Sequence, residues 1–107
     1  MTDHPIDRLF ATIAARKNAG DTSQSYTAKL LSEGVAKCAK KFGEEAVETV
    51  LAAVSGDKAQ LAAESGDVLY HLLVLWAAAG ITPDDVYAAL KQREGQSGLA
   101  EKAARPK

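Results

Sequence analysis

The chain has 107 residues, of which 47% are hydrophobic and 25% charged, and its 13 basic and 14 acidic side chains give a net charge of −1. This balance is typical of one soluble globular domain, and the near-neutral charge argues against nucleic acid or a membrane surface as a partner. The single cysteine excludes an internal disulfide and a thiolate zinc site within one chain.

Every periodic segment of the chain has helical spacing, and we predict an all-α bundle of about five helices. Apolar residues follow the i, i+3, i+4, i+7 pattern, and Pro5, Asp57 and Thr82 mark helix starts. The predicted helices cover approximately residues 5–17, 27–32, 35–55, 57–79 and 82–93, with a polar loop over 20–25. We expect residues 1–95 to form one domain and residues 96–107 to form a flexible tail.

The third predicted helix carries an acidic stripe opposite a broad apolar arc. Glu44, Glu45 and Glu48 converge on one side within two turns because residues three and four apart are neighbours on a helix surface. A solvated charged face is the common interpretation of such a stripe, with nearby lysines pairing with the glutamates. The apolar arc comprises Val35, Ala39, Phe42, Ala46, Val47, Val50, Leu51 and Val54.

The fourth predicted helix brings further acids to the same place. A short turn at Gly56 should pack helices three and four antiparallel. Glu48 and Glu64 lie eight residues before and after Gly56, and Glu45 and Asp67 lie eleven before and after it. Acids facing each other at matched heights repel unless a cation neutralises them. The sequence therefore predicts a site for a hard divalent ion with oxygen ligands, Mg²⁺ or Mn²⁺.

Residues 68–79 of the fourth helix are apolar on nearly every side, which is the signature of burial. A helix of this kind needs more neighbours than so short a chain offers, and we therefore expect a homodimer or a higher homo-oligomer. His71 lies four residues after Asp67, and we expect it to fill a polar niche in the core or to orient a carboxylate.

A magnesium site of this type often shares its ligand shell with substrate phosphates. Several basic and hydroxyl side chains precede the acids and are candidates to bind those phosphates, although each taken singly is more often a surface group. These candidates are Ser25, Tyr26, Thr27, Lys29, Lys37, Lys40 and Lys41.

Glu44-Glu45-x-x-Glu48, fifteen residues, then Glu64-x-x-Asp67 resembles the acidic motif of the all-α nucleoside-triphosphate pyrophosphatase superfamily, the MazG-like group. Three further segments, residues 25–31, 40–45 and 67–75, look like signatures of its phosphoribosyl-ATP pyrophosphatase family, which acts in histidine biosynthesis. The resemblance covers about residues 9–93. Gly66 departs from the small, helix-favouring residue expected there and is expected to loosen the fourth helix.

The resemblance implies Mg²⁺-dependent hydrolysis of 1-(5-phosphoribosyl)-ATP to its AMP derivative and diphosphate, by an obligate oligomer. Our hypothesis gives the catalytic acids as Glu44, Glu45 and Glu48, and the metal ligands as Glu45, Glu48, Glu64 and Asp67. Whether Glu44 is a further ligand or the residue that polarises water stays open at this point.

Two alternatives remain from the sequence. One is a house-cleaning pyrophosphohydrolase acting on another nucleoside triphosphate, since the acidic motif would be shared. The other is a non-catalytic helical interaction module whose acidic stripe is only solvated surface. Residues 1–5 lack the basic and apolar regions of a signal peptide, and the longest apolar run, 72–79, is too short to span a bilayer. We therefore expect a cytoplasmic protein.

Overall fold

A computed structural model describes residues 4–20 and 25–95, and the described residues form an all-α fold without strands. The predicted fold class is confirmed, and each helix boundary lies within two residues of its predicted position. Most of the predicted loop over 20–25 and all of the predicted tail over 96–107 lie outside the described residues. The helices are α1 (Pro5–Ala19), α2 (Tyr26–Ser32), α3 (Val35–Ser55), α4 (Lys58–Ala79) and α5 (Pro83–Glu94).

Local signals in the sequence set the ends of the two long helices. The Asp57 side chain caps α4 by accepting a hydrogen bond of 3.0 Å from the backbone N–H of Gln60. Gly56 ends α3 and Gly80 ends α4 in the left-handed region, at φ of 81° and 80°, where a side chain would be strained. The turn between α3 and α4 is therefore short, and the two helices pack along each other.

The core lies where α1 and α2 pack against the C-terminal half of α4. Ile13 of α1 and Val74 of α4 are completely buried, and Leu73 and Cys38 are 1% exposed. The Cys38 thiol donates to the backbone carbonyl of Leu30 over 3.4 Å, and burial raises its pKa. This cysteine therefore serves packing, as a small apolar side chain with one weak hydrogen bond.

The exposed apolar surface lies mainly on α3. In α4, the helix that we expected to need further neighbours, five residues of the C-terminal half are buried within the chain, namely His71, Leu73, Val74, Trp76 and Ala77. The other residues from Leu69 to Ala79 are partly or fully exposed, and the expected oligomer stays a prediction. The aliphatic side chains of α3 instead point outward, with exposed fractions of 59% for Val47, 59% for Val50, 62% for Leu51 and 81% for Val54.

Within the described residues, no single helix has both the length and the apolar character needed to cross a membrane. The pair α4 and α5 passes that test only when taken together, and the two helices meet at 115°.

Candidate active site

Three carboxylates from two helices meet at one height of the α3–α4 pair. One carboxylate oxygen each from Glu45, Glu48 and Glu64 lies within 4.8 Å of the others. The Thr49 hydroxyl lies 2.9 Å from the backbone carbonyl oxygen of Glu45 and 3.2 Å from that of Glu64. Thr49 thus links the helices beside the acids, and the height matching predicted for Glu48 and Glu64 is present in the structure. These three acids are called the acid cluster below.

Glu64 is the member of the acid cluster that has a buried carboxylate oxygen and acidic neighbours on both helices. Its Oε1 atom is buried and has no hydrogen-bond partner among the described residues. Burial raises the pKa of this carboxyl, and the neighbouring Glu48, Asp67 and Glu45 raise it further. A buried carboxylate oxygen without a partner, facing other carboxylates, suits a hard divalent cation. The donor set therefore fits Mg²⁺ or Mn²⁺, whose preferred ligands are oxygen atoms.

Asp67 and Glu44 lie outside the group of three oxygens. Asp67 is exposed, yet it is close enough to Glu64 to raise the pKa of that carboxyl. Glu44 pairs with Lys41 at 3.5 Å and faces a neighbouring cleft. The structure thus brings together three of the five predicted acids and leaves the other two at the edge of the cluster.

A cleft of about 260 Å³ lies between α2 and the N-terminal half of α3, and it is called the lysine cleft below. It contains five of the seven residues that we predicted to bind phosphate, together with Glu44 at its edge. Tyr26 and then Glu44 raise the pKa of Lys41. Its lining residues are Tyr26, Lys29, Leu30, Glu33, Lys37, Lys40, Lys41 and Glu44.

The other two predicted phosphate-binding residues have structural contacts. The Ser25 hydroxyl caps α2 by accepting a hydrogen bond of 3.1 Å from the backbone N–H of Ala28. Thr27 is 2% exposed, and its hydroxyl is hydrogen-bonded to the Tyr70 hydroxyl of α4. Both residues also line a second cleft, of about 280 Å³, together with Arg16, Tyr26 and Tyr70. We call this the arginine cleft.

Sequence reasoning missed three residues that line these clefts. Arg16 and Glu33 belong to no motif that we singled out, and Tyr70 was not among the predicted site residues. The position of Tyr70 within the segment 67–75, which carried the family resemblance, was the available signal. Arg16 reaches its cleft through the packing of α1 against α2 and α4, which no local pattern in the sequence reveals.

His71 occupies a niche beside the site rather than the acid cluster itself. The residue is 8% exposed, and its ring meets the rings of Tyr26 and Tyr70 edge-on at centroid distances of 6.3 and 5.3 Å. Burial lowers its pKa, although Glu45 opposes that effect. Its Nδ1 atom is buried and has no hydrogen-bond partner among the described residues, so the contacts around this histidine are aromatic, and its predicted polar role stays a prediction.

The all-α fold and the acid cluster fit the all-α, MazG-like type of pyrophosphohydrolase. Residues 6–94 match the family of phosphoribosyl-ATP pyrophosphohydrolases. The chain belongs to this family, and the resemblance found in the sequence is confirmed.

Three relatives, each named phosphoribosyl-ATP pyrophosphatase, illustrate the similarity. The protein of Parvibaculum lavamentivorans is 65% identical over 100 residues, which cover 94% of this chain and 91% of the relative. That of Azospirillum brasilense is 63% identical, with 94% and 89% covered. That of Ruegeria pomeroyi is 61% identical over 99 residues, with 92% and 93% covered.

Proposed function

We propose that this chain hydrolyses phosphoribosyl-ATP to phosphoribosyl-AMP and diphosphate, the second step of histidine biosynthesis. The observation that carries the proposal is the convergence of Glu45, Glu48 and Glu64 across two helices in a member of this family. Such a cluster is costly to maintain unless it binds a cation, and polyphosphate hydrolysis requires one. The cytoplasmic location expected from the sequence stays a prediction.

We propose Mg²⁺, or Mn²⁺ in its place, as the cofactor, with Glu45, Glu48, Glu64 and Asp67 as its ligands. The partnerless Oε1 atom of Glu64 and the all-oxygen donor set support this assignment. When bound, a divalent ion of this kind neutralises phosphate oxygens and makes water a better nucleophile.

The remaining residues supply positioning and proton transfer. Water attacks phosphorus, the bond from phosphorus to the bridging oxygen breaks, and diphosphate leaves. Glu44 borders the lysine cleft, directly precedes Glu45 of the acid cluster in the chain, and pairs with Lys41 at 3.5 Å. As a carboxylate it can accept the proton that the attacking water loses. We therefore assign the role of proton acceptor to Glu44.

The lysine cleft is suited to the charge that collects on the leaving diphosphate. Lys29, Lys37, Lys40 and Lys41 surround a space of about 260 Å³ that Glu44 borders. Ammonium groups stabilise phosphate oxygens as point charges and gain strength as negative charge develops. The cleft therefore favours release of diphosphate next to the carboxylate that accepts the proton.

A diphosphate-release assay tests the function. We expect turnover of phosphoribosyl-ATP with Mg²⁺, at a kcat/KM at least tenfold above that for ATP, dUTP and other nucleoside triphosphates. Chelation of the metal should abolish that turnover. Equal or faster turnover of an ordinary triphosphate would favour a house-cleaning hydrolase instead, and no release of diphosphate from any substrate would refute the proposal.

We further propose a homodimer in which α3 contributes its exposed aliphatic face, formed by Val47, Val50, Leu51 and Val54. These residues follow the i, i+3, i+4, i+7 spacing of one helix face, which supports burial against a second helix surface. Leu51 also lines a pocket with Glu48 and Glu64, and the interface would therefore border the acid cluster.

Sedimentation equilibrium tests the dimer. Wild-type protein should sediment with twice the mass of the chain, and Leu51→Glu should sediment as a monomer because a buried charge without a partner is costly. Leu90→Glu serves as the matched control, because Leu90 is 57% exposed on α5 and should not affect association. A wild-type monomer at micromolar concentration would contradict the proposal.

A further inference from the structure

The arginine cleft adjoins the lysine cleft at Tyr26, which lines both. The two clefts differ in charge. Glu33 and Glu44 line the lysine cleft among its four lysines, whereas every described residue that lines the arginine cleft is neutral or cationic. An anion in the arginine cleft would therefore meet a guanidinium without facing a carboxylate.

The two neighbouring basic residues at the end of α1 have different surroundings. The Lys17 ammonium donates a hydrogen bond of 2.8 Å to the backbone carbonyl of Ala77 and thereby ties α1 to the end of α4. Among the described residues, no carboxylate pairs with Arg16, whose side chain lines the arginine cleft. Lys17 therefore serves the fold, whereas the guanidinium of Arg16 remains available to a ligand.

Hydroxyl groups complete the cleft. The hydroxyl of Ser25 accepts a hydrogen bond from the Ala28 backbone, and its own proton stays available for donation. The hydroxyls of Thr27 and Tyr70 bond to each other, a contact that uses one of their two protons and leaves the other. A guanidinium beside hydroxyl donors is a common arrangement for binding a phosphate group, because the planar fork can donate two hydrogen bonds to it.

We propose that the arginine cleft binds the terminal phosphomonoester of the phosphoribosyl group, with Arg16 as the residue that selects phosphoribosyl-ATP over ATP. This inference rests on the proposed function, because that substrate carries a phosphomonoester remote from its triphosphate. In this arrangement the triphosphate lies toward the acid cluster and the lysine cleft, and Tyr26 borders both anionic ends of the substrate. ATP, which lacks the second phosphate, leaves the arginine cleft without an anion.

The test compares phosphoribosyl-ATP with its analogue 1-ribosyl-ATP, which lacks only that phosphate. The measured quantity is the ratio of kcat/KM for the phosphorylated substrate to kcat/KM for the analogue. We expect Arg16→Gln to lower this ratio by about 10- to 100-fold, as the loss of a hydrogen bond between charged groups would. Tyr70→Phe, which keeps the ring, should lower it by about threefold to tenfold through the loss of one hydroxyl.

Arg8→Gln is the matched control, because Arg8 is exposed on the same helix and lines neither cleft. Its ratio should equal that of wild type. An Arg16→Gln ratio within threefold of the Arg8→Gln ratio would overturn the assignment. That failure differs from failure of the proposed function, in which wild-type protein would release no diphosphate from phosphoribosyl-ATP. Arg16 is exposed, and circular dichroism of each variant checks that the fold is kept.

Discussion

The two halves of α4 lie in opposite environments. The C-terminal half buries Leu73, Val74 and Trp76 against α1 and α2, and this packing forms most of the core. The N-terminal half carries Glu64 and faces the acids of α3, with a buried carboxylate oxygen that has no partner among the described residues. One half thus stabilises the fold by removing apolar area from water, and it holds in place the other half, where like charges repel.

The largest expected effect is a loss of activity when an acid of the acid cluster is changed. Glu48→Gln should keep the fold, because Glu48 is exposed, but should lower kcat/KM for phosphoribosyl-ATP by about 100-fold or more. The change removes one negative charge from the acid cluster and leaves the side-chain shape. A diphosphate-release assay measures the loss, and Glu94→Gln, at the exposed end of α5, should retain the wild-type rate. A wild-type rate in Glu48→Gln would exclude Glu48 from the site.

Substitutions in the buried C-terminal half of α4 should lower the stability of the fold instead. Leu73 is 1% exposed, and Leu73→Ala should lower the free energy of unfolding by about 2–5 kcal/mol through lost burial and a cavity. Leu69→Ala is the control on the same helix, since Leu69 is 46% exposed and should cost less than half as much. Urea denaturation measures both values. Equal losses would contradict the assignment of Leu73 to the core.

In the N-terminal half of α4, a substitution of Glu64 should raise stability rather than lower it. The pKa of Glu64 is raised above its unfolded value, and stability therefore falls as pH rises through the carboxylate range. Glu64→Gln should remove this repulsion, raise the melting temperature of the metal-free protein at pH 7, and weaken the fall in stability as pH rises through the carboxylate range. Thermal melts in the presence of chelator measure the shift. A lower melting temperature in Glu64→Gln would show that this carboxylate stabilises the fold.

The smallest effect concerns Gly66, between the two halves. It lies inside α4 and is exposed, and a Cβ added there would meet nothing within 4 Å. Gly66→Ala should therefore raise the free energy of unfolding by up to about 1 kcal/mol through helix propensity. Differential scanning calorimetry detects a change of that size as a few degrees in melting temperature. Destabilisation would indicate that a surface from outside the described residues covers Gly66.

The sequence predicted the helices well because their signals are local. Apolar spacing, the caps at Asp57 and Thr82, and the glycines that follow α3 and α4 each act within one or two turns. The meeting of Glu48 with Glu64 was also predictable, since a short turn and a fixed rise per residue set equal heights. Asp67 lies outside the group of three although it is three residues from Glu64, the same spacing that keeps Glu45 and Glu48 together, so spacing alone does not decide which acids meet.

Contacts between distant segments were not predictable. Periodicity identifies the apolar face of α3, but it does not say what covers that face, and Val54 is 81% exposed in the chain. The arginine cleft depends on the way α1 and α2 pack against α4, which brings Arg16 and Thr27 to Tyr70. No local signal sets the relative placement of helices that a polar loop separates.

Manganese binding, followed by electron paramagnetic resonance, tests the central claim that acids of both helices hold one divalent site. Wild-type protein should bind Mn²⁺, and Glu45→Gln on α3 and Glu64→Gln on α4 should each weaken binding by about tenfold or more, with Glu94→Gln unchanged. Absence of Mn²⁺ binding in wild type at millimolar concentration, or weakening by substitutions on only one helix, would contradict the account.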